Sequence, residues 1–114
     1  MTAAEALDSI PSPIKIGVNR YAVEVVDIID PNDNDCCAII EPETQIIKLV
    51  RSHTTAMRVV GSLLHEVLHG IWDDRGLPNK PDEERVILQL ESGLVQLFHD
   101  NPKLLTWIKR GIRK

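Results

Sequence analysis

A change in the spacing of apolar residues near residue 55 limits the folds that this 114-residue chain can adopt. Before that point, β-branched residues alternate in short runs, which predicts strands over 14–29, 37–41 and 45–50. The first of these runs fits one long strand or a hairpin that turns within 17–20. After residue 55, apolar residues recur every three or four positions, which predicts helices. We therefore expect an α+β fold with a small antiparallel sheet of about three strands, followed by helices.

Three helices are predicted in the second half of the chain. The first begins after a threonine cap, at Thr54 or Thr55, and ends near Asp73. The side chains expected to pack on the core from this helix are Val60, Leu63, Leu64, Val67, Leu68 and Ile71. A second, long helix is expected to start within 79–83 and to end before Asn101, and a short C-terminal helix covers 102–110. Residues 1–13 are expected to be an irregular lead-in, and residues 1–114 to form a single domain.

The first predicted helix contains the sequence His65-Glu66-Val67-Leu68-His69, which reads H-E-x-x-H. Two imidazoles four residues apart lie on one face of a helix, one turn from each other, and this spacing lets both bind a single zinc ion. The two histidines lie well away from the centre of the apolar stripe. We therefore expect them to face either water or a cleft formed by another element, and we predict that His65 and His69 bind Zn²⁺.

Glu66 follows the first histidine and points to an adjoining face of the helix. From there its carboxylate can orient a zinc-bound water and take its proton. Glu66 is therefore the predicted catalytic base of a zinc-dependent hydrolase. Its removal should spare metal binding and abolish hydrolysis.

A catalytic zinc normally has three protein ligands, so a third is needed. The continuation H-E-x-x-H-x-x-G-x-x-H is excluded, because Trp72 and Arg75 stand at its glycine and final histidine positions. An acid from the second helix is the remaining option, and the candidates are Asp82, Glu83, Glu84 and Glu91. Glu84 is preferred because its side chain can lie along the packed face of that helix. Glu91 interrupts an apolar face, so its carboxylate needs a partner. That partner is either the metal or a histidine or arginine, and the sequence leaves both alternatives open. Asp73 is a possible partner of His69.

Residues 63–71 (LLHEVLHGI) and 91–102 (ESGLVQLFHDNP) resemble the small H-E-x-x-H zinc metallopeptidase-like proteins of bacteriophages and prophages. Those proteins are similar to the ImmA/IrrE-type, gluzincin-like metallopeptidases. The resemblance covers roughly residues 36–105 and implies a minimal zincin-like domain. It implies His65 and His69 as ligands, Glu66 as the base and Glu84 as the matching acid. Members often have Ala-Asn where this chain has Glu91-Ser92, which leaves open whether Glu91 is an added ligand or tunes the site.

Composition and charge limit the binding partners and the cellular compartment that we expect. A formal net charge of −4 gives no reason to expect nucleic-acid binding. No apolar run has the length of a membrane span, and no export signal is recognised. Cys36 and Cys37 are adjacent, a spacing that suits reduced thiols, so we expect a cytoplasmic protein with no membrane partner. The expected partner is a protein or peptide substrate, bound beside an exposed strand edge near the motif helix.

Together these patterns predict a zinc metallopeptidase of the H-E-x-x-H type, which hydrolyses peptide bonds with a zinc-bound water activated by Glu66. The word peptidase rests on the resemblance, because the residues themselves indicate only metal-assisted hydrolysis. The alternative is a non-catalytic, zinc-containing interaction protein that binds a host or phage regulatory protein.

Overall fold

The computed structural model describes residues 1–78 and 81–113. Asn79 and Lys80, where the approach to the second helix is predicted, lie outside the described residues. The α+β class is confirmed, with a four-stranded sheet and four helices in the described part of the chain. The elements in chain order are α1 (Ala3–Asp8), β1 (Ile14–Ile16), β2 (Asn19–Val26), β3 (Ala38–Glu41), β4 (Ile46–Val50), α2 (Ala56–Asp74), α3 (Glu83–Asp100) and α4 (Pro102–Ile112).

The strand order of the sheet is β1-β2-β4-β3. Two antiparallel hairpins are present: β1–β2, which was one of the two alternatives for residues 14–29, and β3–β4, formed by the strands predicted over 37–41 and 45–50. The sheet is nevertheless mixed, because β4 lies parallel to β2, and it has one strand more than the expected three. Alternation of apolar residues predicts the buried face of a strand, but it carries no information on which strand becomes its neighbour. β3 is consequently an edge strand, paired with β4 on one side only.

The turn between β1 and β2 requires a glycine for two reasons. Gly17 has a φ of +61°, a left-handed conformation that residues with a Cβ rarely adopt. A Cβ at this position would also overlap the carboxylate of Asp74, at the C-terminal end of α2. The hairpin turn and the end of the motif helix are therefore packed directly against each other.

Residues 1–13 are not wholly irregular, because α1 forms within them. Thr2 caps this helix by accepting a hydrogen bond from the backbone N–H of Glu5, whose side chain in turn accepts one from the backbone N–H of Thr2. This reciprocal pair is a capping box, which the sequence T-A-A-E could have indicated. Ala6 and Leu7 are buried in the core, where α1 packs against α2.

The buried face of α2 lies about one residue away from the predicted stripe. Thr55 caps the helix as expected, and its hydroxyl accepts a hydrogen bond from the backbone N–H of Arg58. Leu63 and Val67 pack on the core, but Val60 and Ile71 are 46% and 40% exposed. The buried members of the helix are Val59, Gly61, Glu66 and Gly70. Large apolar residues alone gave the wrong centre, because two glycines and a glutamate occupy the face nearest the sheet and α3.

The core lies between the sheet and the helices α1 and α2, and its most buried large side chains are Tyr21, Ile47, Leu49 and Val59. α3 packs against α2 and ends at Asp100, and Asn101 separates it from α4, which begins at Pro102. Within residues 1–78 and 81–113, no helix is both long enough and apolar enough to cross a membrane.

Candidate metal centre

The two histidines of the motif lie side by side on α2 and face α3. Their ring centroids are 4.9 Å apart, and their side chains are 12% and 19% exposed for His65 and His69. Of the two alternatives left open by the sequence, water or a cleft formed by another element, this half-buried position corresponds to the cleft. One helical turn separates the rings, so a single group on α3 can contact both.

That group is the carboxylate of Glu84, in the first turn of α3. One carboxylate oxygen lies 2.7 Å from Nε2 of His65, and the other lies 2.7 Å from Nε2 of His69. One potential ligand atom from each of the three residues lies within 4.8 Å of the others, so the three can hold a metal ion. Among the acids considered from the sequence, Glu84 is the one brought to both Nε2 atoms.

The remaining ring nitrogens are also occupied by carboxylates of α3. Nδ1 of His65 lies 3.1 Å from Oε1 of Glu91, and Nδ1 of His69 lies 2.7 Å from Oε2 of Glu83. Glu84 and Glu91 are seven residues apart and therefore share one face of the helix, two turns from each other. Each imidazole is held between two carboxylates, one at each nitrogen.

The two carboxylates beside each imidazole restrict where protons can lie. A neutral imidazole carries a single N–H, so it can donate to one carboxylate and not to two. Each contact between Glu84 and an Nε2 atom therefore needs a proton, carried by the ring or by the carboxyl group, or a cation between the two. Burial works to lower the pKa of His69, but hydrogen bonds to Glu83 and Glu84 outweigh it and raise the pKa above its usual value. Two imidazole nitrogens facing a shared carboxylate form a donor set that suits a divalent cation.

Glu66 lies on the side of α2 that faces the sheet and is only 8% exposed. Burial raises the pKa of its carboxyl group, while His65 and His69 and the backbone of Ile40 act in the opposite direction. In the described part of the chain, no other charged residue is as buried. Such a side chain needs compensating partners; the backbone of Ile40 supplies a hydrogen bond, and the neighbouring imidazoles contribute electrostatically.

A cleft between β3, α2 and α3 contains these groups. It has a volume of about 420 Å³ and is lined by Ala38, Ile39, Ile40, Pro42, His65, Glu66, His69, Asp73, Glu83 and Glu84. The edge strand β3 forms one wall, and the carboxylates of α3 form the other. The cleft therefore brings a free strand edge next to the motif residues.

Other residues considered from the sequence lie elsewhere or have different partners. Asp82 lies 3.6 Å from Arg85 and is not in the cleft. Asp73 lines the cleft, but the Nδ1 partner of His69 is Glu83. Sequence reasoning missed this contact. The only signal in the sequence is that Glu83 directly precedes Glu84 in the first turn of the same helix.

Gly61 on α2 lies next to the carboxylate of Glu91 on α3. A Cβ at Gly61 would be 3.1 Å from Oε2 of Glu91. Gly93 on α3 differs, because a Cβ there would have no neighbour within 4 Å. Of these two glycines, only Gly61 is therefore explained by packing at the site.

Comparison of the chain with protein-family models, with curated proteins and with solved structures finds no match.

Proposed function

We propose that this chain is a zinc-dependent metallopeptidase-like protein that hydrolyses peptide bonds in a protein or peptide substrate. The observation that carries the proposal is the group of His65, His69 and Glu84, whose potential ligand atoms lie within 4.8 Å of one another beside the buried Glu66. The resemblance of residues 63–71 and 91–102 to the small phage metallopeptidase-like proteins supports peptide bonds as the target.

Zinc is the metal that the donor set favours. Two imidazole nitrogens and one carboxylate are a common protein ligand set for catalytic zinc, which keeps a further position open. Magnesium and calcium prefer sets made entirely of oxygen atoms. When bound, zinc supplies Lewis-acid chemistry, because it lowers the pKa of a water molecule and polarises a carbonyl group.

The role of Glu66 is to move a proton. Its carboxylate accepts the proton of the attacking water and then delivers it to the nitrogen of the leaving amine. Burial raises the pKa of the carboxyl group, and this makes its ionised form a stronger base than an exposed glutamate. Glu66 and the histidines line the same cleft, so the reacting carbonyl and the base share one space.

The substrate binds along β3. An extended peptide can add to a free strand edge through main-chain hydrogen bonds. The edge of β3 that is not paired with β4 lies at the wall of the cleft, where Ala38, Ile39 and Ile40 stand beside Glu66. A peptide bound in this way would present its carbonyl groups toward the histidines.

The test compares the zinc-loaded wild-type protein with two variants, Glu66→Gln and His65→Ala, on a peptide library made by digesting cellular protein. Mass spectrometry reports new cleavage sites, and metal analysis reports bound zinc. We expect the wild type to cleave, the Glu66→Gln variant to hold the same amount of zinc without cleaving, and the His65→Ala variant to lose most of its zinc. Equal cleavage by the wild type and the Glu66→Gln variant would remove the proposed base.

A second candidate function is a non-catalytic zinc-containing protein that binds a host or phage regulatory protein. The observation that favours it is the apolar surface of α4, where Trp107 and Ile112 are 70% and 74% exposed. If this is the function, the wild type and the Glu66→Gln variant both retain zinc, and neither cleaves any peptide.

We also propose a cytoplasmic setting. Cys36 and Cys37 are free thiols, as expected in a reducing compartment.

A further inference from the structure

We propose that Glu91 is a positioning residue that holds the ring of His65 with Nε2 toward the metal, and that Gly61 is present to give Glu91 the space to do so. This inference rests on the proposed zinc site and assigns a role to two residues outside the three ligands. It also decides between the two roles that the sequence left open for Glu91.

Glu91 lies on the Nδ1 side of the His65 ring. Its Oε1 is 3.1 Å from Nδ1 of His65, whereas Glu84 lies 2.7 Å from Nε2. The two nitrogens of an imidazole point away from each other, so an ion held by Nε2 and Glu84 is out of reach of Glu91. Glu91 therefore acts on the ring and not on the ion.

The position of Glu91 also bears on the tautomer of His65. A histidine that binds a metal through Nε2 carries its proton on Nδ1, and a carboxylate that accepts this proton fixes the orientation of the ring. Glu91 is well suited to this role because its side chain is only 22% exposed, so water competes weakly for its oxygen. Glu83 makes the equivalent contact with His69 at 2.7 Å. The two rings are thus held from their outer sides by two acids of α3.

The carboxylate of Glu91 occupies a space next to Gly61. Its second oxygen, Oε2, lies against the backbone of Gly61, one turn before His65 on α2. A Cβ at Gly61 would be 3.1 Å from this oxygen, which is tighter than an ordinary contact. The atom that must yield is the end of a flexible side chain, so the carboxylate of Glu91 would move and the helices would not. Glycine in a helix is otherwise unfavourable, so its presence here has a structural reason.

The test is a double-mutant cycle on zinc affinity, measured by competition with a chromophoric chelator. The proteins are the wild type and the variants Glu91→Ala, Glu91→Gln, Gly61→Ala and the double variant Gly61→Ala/Glu91→Ala. We expect Glu91→Ala to weaken zinc binding by about 10- to 100-fold. Glu91→Gln should lose less, because its amide oxygen still accepts a hydrogen bond from Nδ1. Gly61→Ala should weaken binding several-fold in the wild type and should have no effect in the Glu91→Ala background.

Nitrogen NMR of the histidine side chains gives a readout that is independent of affinity. In the zinc-loaded wild type, the Nδ1–H of His65 should be protected from exchange with solvent, and this protection should be lost in Glu91→Ala. A wild type that binds zinc while Glu91→Ala binds it equally well would overturn the inference and leave the proposed function intact. An equal loss from Gly61→Ala in both backgrounds would overturn the role of Gly61. A wild type that binds no zinc would remove both the inference and the proposed function.

Discussion

Glu84 on α3 contacts His65 on α2 across a distance of 2.7 Å, from a carboxylate oxygen to Nε2. The two residues are nineteen positions apart in the sequence and belong to different helices. The contact joins α3 to α2 at the H-E-x-x-H motif. It also identifies which acid of α3 faces the nitrogen that would bind a metal.

Replacement of Glu84 by alanine should weaken zinc binding more than replacement of any other acid of α3. The reason is that this substitution removes a ligand, whereas Glu83 and Glu91 contact only the outer nitrogens of the rings. Chelator competition with purified variants measures the difference. We expect a loss of more than about 100-fold for Glu84→Ala, above the range of about 10- to 100-fold for partners of a ligand. Unchanged affinity in Glu84→Ala would show that the third ligand is another residue.

Zinc should raise the thermal stability of the protein. A ligand that binds only the folded state at one hundred times its dissociation constant adds about 2.7 kcal/mol to the free energy of unfolding. In a domain of this size that corresponds to a rise in Tm of roughly 10 °C. Differential scanning calorimetry in EDTA and in zinc measures the shift. The variant His69→Ala is the control, and it should show little of this increase because one ligand of the site is missing.

The motif helix was predictable from the sequence because its signals are local. A threonine cap, apolar spacing of three and four, and two histidines one turn apart all lie within twenty residues. The rotation of this helix about its axis was not predictable in the same way. Glu66 and Gly70 occupy its buried face; glutamate is rarely buried, and glycine adds no apolar side chain to the stripe from which the face was predicted.

The contacts of the acidic residues at the site were likewise only partly predictable from the sequence. Their presence on one helix was visible, and so was the shared face of Glu84 and Glu91. Which acid contacts which nitrogen depends on how α3 packs against α2, and the spacing of residues within one helix carries no information on that packing. The parallel pairing of β2 and β4 was hidden for a related reason, because it joins segments that are not consecutive in the chain.

The stability of the metal-free protein should depend on the ionisation of Glu66. The folded state raises the pKa of this carboxyl group above its ordinary value of 4.5, so the unfolded chain loses the proton first as pH rises. Stability is therefore lost as pH increases from below 4.5 through the raised pKa of the folded state, and the loss is constant above it. The variant Glu66→Gln has no such group and should be free of this loss.

Thermal unfolding of the wild type and the Glu66→Gln variant in EDTA, at intervals between about pH 4 and pH 8, tests this expectation. The difference in Tm should increase with pH in favour of the glutamine variant. Comparison of the two proteins removes the contributions that other groups make to both. A difference that stays constant with pH would mean that the folded state does not disfavour the ionised form of Glu66.

Gly70 follows His69 on α2, and the absence of a side chain there allows the helix to approach the sheet closely. A Cβ at this position would lie 2.7 Å from Cδ1 of Ile16 and 3.0 Å from Cδ1 of Ile40. Overpacking of this kind typically costs about 1–3 kcal/mol. Alanine regains about 0.8–1.0 kcal/mol through its higher helix propensity, so Gly70→Ala should be destabilising on balance.

Gly93 provides the matched control for this substitution. It also lies inside a helix, but a Cβ there would meet no neighbour within 4 Å. Gly93→Ala should therefore stabilise the protein by up to about 1 kcal/mol, since only the gain in helix propensity remains. Urea denaturation measures both variants. If Gly70→Ala were stabilised to the same extent as Gly93→Ala, α2 would not approach β1 and β3 this closely. The cleft would then be wider than the one in which Glu66 faces the edge of β3.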